Sequence, residues 1–142
     1  MKKLLLTAVV AFCTLFASAQ IMVVTTYDGD LEGSEQLTAN AGIGYQVSDV
    51  ITAGVQKDGD DFSVFVRYAV KDDIYATFNM PTEDGSDRAS LGLGYSMNIW
   101  NNLYIEPSYT MPIKEQAVMV DGVATTDMER KGSFNFGIAY RF

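Results

Sequence analysis

The sequence has no histidine, a single cysteine and only three prolines. Without an imidazole there is no Ser-His-Asp or Cys-His nucleophile system and no histidine-ligated metal. Basic residues are scarce. Ten Lys+Arg stand against 18 Asp+Glu, giving a formal net charge of -8. Such a chain is a poor electrostatic match for nucleic acid or for an anionic membrane surface, so no nucleic-acid partner is expected. No apolar run after Gln20 is long enough for a transmembrane helix. At 142 residues the chain has the length of one domain.

The first nineteen residues read as an address. Met1-Lys2-Lys3 is a short positive start, Leu4 to Ala17 is apolar apart from Thr7 and Thr14, and Ala17-Ser18-Ala19 is a small-residue cleavage site. This is the three-part pattern of a secretory signal peptide, too short to span a membrane. Residues 1–19 are expected to be removed after Ala19 on export through the Sec pathway, leaving 20–142 as the mature domain. Cys13 lies inside the apolar run, with Phe12 before it and Thr14-Leu15-Phe16 after, which argues against a lipoprotein anchor. The mature chain is then without cysteine and enters an oxidising compartment with no disulfide. Loss of Lys2 and Lys3 takes the charge from -8 to -10.

From Ile21 onward the dominant signal is alternation with period two, the mark of strands whose successive side chains face opposite ways. Eight strands are expected: Ile21–Tyr27, Gln36–Val47, Ile51–Gln56, Phe62–Val70, Ile74–Met80, Ala89–Met97, Leu103–Met111 and Phe134–Phe142. Tight turns are expected at Ser48-Asp49, Lys71-Asp72 and Asn98 to Asn102. Longer loops are expected over 28–35, 57–61, 81–87 and 112–132. That arrangement suits an antiparallel meander.

A soluble sandwich and a membrane barrel share this alternation, and they differ in what the polar face carries. Here the charges on the polar faces are Arg67, Glu106 and Arg141. The rest is mostly Gly, Ser, Thr, Asn, Gln and Ala, with Phe65, Tyr75 and Tyr104 as bulky members. Small uncharged groups suit the crowded interior of a narrow barrel, and uncharged apolar faces suit lipid. Tyr45, Tyr68, Tyr95 and Tyr140 lie on the apolar face near one end of their strands, and Trp100 lies in a turn at that end. Together they read as a membrane-interface girdle. Tyr27, Phe62, Phe78, Tyr109 and Phe134 are candidates for a second girdle.

Phe134-x-Phe136-x-Ile138-x-Tyr140-x-Phe142 resembles the C-terminal assembly signature of bacterial outer-membrane barrels, and Gly42 to Asp49 resembles their strand-turn segments, particularly in Bacteroidota. The nearest class is the OmpA/OmpX-type eight-stranded barrel. That resemblance implies outer-membrane lipid as surroundings and insertion by the barrel-assembly machinery. The chain departs from the class in its modest loops, its lack of a peptidoglycan-binding domain, and Pro107, which suggests a bulge.

Arg67, Glu106 and Arg141 are expected to form a lumen ion-pair cluster in the half near the chain ends. It reads either as a structural plug or as a gate. Asp28-Gly29-Asp30 and Asp58-Gly59-Asp60-Asp61 invite a calcium reading, but without EF-hand spacing they are more simply turns. No catalytic residue, metal ligand or cofactor is assigned. Glu106 has no second carboxylate for glycosidase work, and Gly42-x-Gly44 and Gly92-x-Gly94 lie in strands rather than phosphate loops. The reading is a non-enzymatic outer-membrane barrel with a side-chain-filled lumen and an unidentified surface ligand. The alternatives are a narrow channel or small-solute transporter, and a soluble periplasmic ligand-binding barrel.

Overall fold

The computed structural model describes residues 20–27, 29–83 and 85–142. The expected signal peptide, 1–19, lies outside the described residues. The strands are β1 (Ile21–Tyr27), β2 (Gly42–Gln46), β3 (Ile51–Asp58), β4 (Asp61–Lys71), β5 (Ile74–Pro81), β6 (Ser90–Tyr95), β7 (Met97–Trp100), β8 (Leu103–Pro112), β9 (Gln116–Val120), β10 (Val123–Glu129) and β11 (Ser133–Arg141). A single helical turn, α1, spans Glu35–Thr38.

Neighbours in sequence pair antiparallel around the sheet, and β11 closes it by pairing with both β8 and β1. β6 and β7 form one wall interrupted at Ser96, so the barrel has eight staves in meander order. Closure leaves no sheet edge. Both the start of β1 and the end of β11 lie at one end, here the terminal end, together with the 47–50, 72–73 and 101–102 turns. No helix among the described residues is long and apolar enough to cross a membrane.

Five local expectations are corrected. Asn98 to Trp100 belong to β7, paired with β8, so the turn expected over Asn98 to Asn102 is Asn101-Asn102 alone and Trp100 stands in a strand. Residues 36–41 do not extend β2. They form α1 and a turn, in which Ser34 O accepts from Leu37 N (3.2 Å) and Thr38 N (3.1 Å). The reason is pairing. β3, the partner of β2, turns away after Asp58, so a strand running back through Leu37 would carry unpaired backbone groups. The 57–61 segment is a two-residue turn, with Asp58 opposite Asp61 and Gly59 at φ 64°.

The expected 112–132 loop contains a separate hairpin, β9–β10. Its Asp121-Gly122 turn has φ 51° and 79°, both left-handed, as the two-residue turn matching strand twist requires. Finally, Pro107 makes no bulge. Ladder pairs Gly94–Ser108 and Met97–Ile105 keep one register across it, and the β11 register is also unbroken. Ile113 N–H donates to Ala89 O, so the odd residues of β8 turn their backbone groups toward β6. Pro107 therefore occupies the position that would donate to Tyr95, and its missing N–H interrupts the ladder there.

Candidate functional site

The barrel interior is built from the short-side-chain faces of its strands. Glycines on those faces accept the larger groups. A Cβ on Gly94 would sit 2.3 Å from Tyr75 Cζ, and one on Gly54 would sit 2.5 Å from Phe65 Cζ. Gly44, 3.1 Å from Phe65 Cζ by the same measure, Gly54 and Gly94 are thus seats for aromatic rings, whereas Gly42 and Gly92 are held close by neighbouring backbone and threonine methyls. On the β1 side the interior is apolar. Met22, Val24, Phe65 and Ala139 pack together, with Tyr104 against them. This accounts for the apolar character of both faces of β1.

Glu106 stands at the centre, with only 1% of its surface exposed. Its Oε2 is 2.5 Å from Arg67 Nη1, and its Oε1 is 3.3 Å from Arg141 Nη2. The three charges expected to meet are therefore in contact, near the terminal end. Ser96 completes the cluster. Its hydroxyl donates to Glu106 Oε1 at 2.9 Å and accepts from Arg141 Nη2 at 2.7 Å. The sequence reading did not single out Ser96. The signal was register, because Ser96 faces Glu106 across the β6–β8 pair. Ser96 N–H bonds to Asp73 O at 2.8 Å, continuing the β5–β6 ladder.

Aromatic faces hold the two guanidiniums. Arg67 Cζ lies 4.7 Å from the Tyr75 ring centroid and 5.4 Å from that of Phe65, and Arg141 Cζ lies 4.0 Å from that of Tyr104. Cation–π attraction adds to the ion pairs where water is scarce. No buried side-chain nitrogen or oxygen among the described residues lacks a hydrogen-bond partner. A paired and fully bonded charge cluster avoids the penalty of an isolated buried ion.

The cluster divides the lumen. On the terminal side is a cavity of about 180 Å³, lined in part by Asp72, Asp73, Ser96 and Arg141. On the other side is a cavity of about 340 Å³, lined in part by Gln56, Thr77, Asn79 and Asn135. Arg67 and Tyr75 line both, so they form the septum between them.

The outer face is apolar from strand to strand. Ile43, Val55, Val66, Leu91, Leu93 and Ile138 all point outward and are exposed. Of the expected girdle, Tyr68, Tyr95, Trp100 and Tyr140 are exposed at the terminal end, and Tyr45 is half-buried there. Tyr27, Phe62, Tyr109 and Phe134 are exposed at the opposite end, while Phe78 is half-buried. Phe134, Phe136, Ile138, Tyr140 and Phe142 share the outer face, with edge-to-face ring contacts between Phe134 and Phe136 and between Tyr140 and Phe142.

Among the described residues no three His, Cys, Asp or Glu side chains converge to hold a metal ion. Asp58 to Asp61 make the β3–β4 turn, and Asp28 lies outside the described residues. No protein-family model matches this chain, and comparison with curated proteins finds no match either.

Proposed function

We propose that this chain is a non-enzymatic integral barrel of a bacterial outer membrane, with its lumen closed by the Arg67–Glu106–Arg141 cluster. The observation that carries the reading is the inversion of polarity. Large apolar side chains point outward around the barrel, while hydroxyls, amides and the charged cluster point inward. A water-facing protein rarely exposes a continuous apolar surface of that kind, whereas a lipid-facing barrel requires one. The aromatic residues near both rims suit the two interfaces, and the Phe134 to Phe142 pattern suits recognition by the barrel-assembly machinery.

Membrane fractionation of the expressed protein, paired with gel mobility before and after boiling, tests this. Recovery with the outer membrane and a heat-dependent mobility shift are expected. Release in the periplasmic fraction without detergent would instead favour a soluble ligand-binding barrel.

A second reading has one specific observation behind it. The two cavities meet at Arg67 and Tyr75, so only one level of side chains interrupts a polar path. Steady single-channel currents from verified bilayer insertions would establish a narrow channel and overturn the closed lumen.

A further inference from the structure

The larger cavity, on the side of the septum away from the chain ends, has a composition that points to a particular guest. Its floor is Phe65 together with the Arg67–Tyr75 septum, which makes it a well rather than a passage. Its wall carries the amides of Asn40, Gln56, Asn79 and Asn135. Each amide carries two donor hydrogens and an acceptor, of which Gln56 spends a donor on Thr26 Oγ1 at 3.4 Å and Asn135 donates to Thr110 Oγ1 at 3.0 Å and Ser133 O at 3.4 Å. Between them stand hydroxyls, among them Thr77, Ser90 and Thr110.

Fixed charge is nearly absent from this wall. Arg67 is already paired with Glu106 at 2.5 Å, and Lys57 and Asp58 carry opposite signs at the mouth. An ionic guest would find no counter-charge. An apolar guest would strip water from the amides and replace no hydrogen bond, which is costly. The Asn79 amide makes no hydrogen bond within the described residues, so it is available to a guest. At about 340 Å³ the well is at the small end of ligand cavities, which run from about 300 to 1,000 Å³.

We infer that this well binds one small, neutral, polyhydroxylated molecule of about single-sugar-ring size. Hydroxyls on such a guest exchange the well's water bonds for direct ones without leaving charge unpaired. Phe65 and Tyr75 are packed into the floor, 1% and 8% exposed, so recognition rests on the amides and hydroxyls of the wall. The inference rests on the lumen alone and holds whatever surrounds the barrel's outer face.

The test is NMR of the purified protein in detergent micelles, following side-chain amide signals. The probes are D-glucose and myo-inositol, with sodium phosphate and indole as the charged and apolar comparisons. Saturable shifts of the Gln56, Asn79 and Asn135 amides with a polyol are expected, with millimolar dissociation constants. Asn79→Leu should weaken that binding about tenfold or more, while heat-modifiable gel mobility is kept. Asn135→Leu serves the same purpose should the first variant fail to refold. Absence of saturable shifts at about 100 mM of either polyol, which leaves an affinity too weak to matter, would overturn the inference. So would tighter binding of phosphate, which would place recognition at Arg67, or tighter binding of indole.

Discussion

Arg67 on β4 and Glu106 on β8 meet with 2.5 Å between Nη1 and Oε2, although their strands are not neighbours in the barrel. The bond crosses the lumen and ties opposite walls. Arg141, from β11 beside β8, approaches the same carboxylate and shares it through Ser96.

Removing the shared anion should therefore be the most damaging single change in the cluster. Glu106→Ala leaves two guanidiniums facing one another with no carboxylate. The cost of breaking a buried pair is about 3–5 kcal/mol, and about 3 is expected here because the arginine side chains are 17% and 36% exposed. Replacing all three residues with Met or Leu should recover much of that loss. Urea unfolding in detergent measures both, and an unchanged midpoint for Glu106→Ala would remove the structural role assigned to the cluster.

Ser96 is expected to matter less, and through geometry. Ser96→Ala deletes the hydroxyl that links Arg141 to Glu106 at 2.7 and 2.9 Å. A hydrogen bond to a charged group contributes about 1.5–3 kcal/mol, and the lower figure is expected because Arg141 still contacts Glu106 directly at 3.3 Å. A double-mutant cycle with Arg141→Met should show coupling between the two sites.

Glycine positions divide sharply by the space beside them. A Cβ on Gly54 would meet Ile43 O at 2.4 Å and Phe65 Cζ at 2.5 Å, whereas one on Gly137 would meet nothing closer than 3.3 Å. Gly54→Ala should cost about 1–3 kcal/mol by overpacking. Gly137→Ala should be mild. Thermal unfolding of the pair tests whether close approach, rather than glycine content as such, sets the wall positions.

The lipid reading has a direct energetic test. Leu93 is outward and 61% exposed. Were that face in water, Leu93→Arg would change stability by less than about 0.5 kcal/mol. In a bilayer the same change near the midplane costs about 2–4 kcal/mol. Unfolding in lipid vesicles should show the larger value.

Pro107 supplies a backbone test. Pro107→Ala restores an N–H facing Tyr95, so the new amide should be protected from hydrogen exchange and β6 and β7 should join into one strand. Stability should move by less than about 1 kcal/mol, because the added hydrogen bond is offset by the freer unfolded chain.

Much of this protein was determined locally. Alternation of apolar and small polar residues fixes which side of each strand faces out, because strand side chains have period two. It therefore foretold the meander, the apolar exterior and the presence of Arg67, Glu106 and Arg141 inside. Tertiary structure decided the rest. Residues 36–41 alternate as well as any strand, yet they fold as α1 and a turn, because the β3–β4 turn ends the pairing at Ala39, whose carbonyl accepts from Gly59 N–H at 3.2 Å, and leaves Gln36 to Thr38 no strand to join. Asp121-Gly122 carried a readable turn signal, but the hairpin it closes lies outside the barrel sheet. Ser96 became part of the charge cluster only through its position opposite Glu106 across the β6–β8 pair. Pattern in the chain sets the direction of a side chain. Closure of the barrel sets which side chains meet, because contacts across a lumen join residues far apart in sequence.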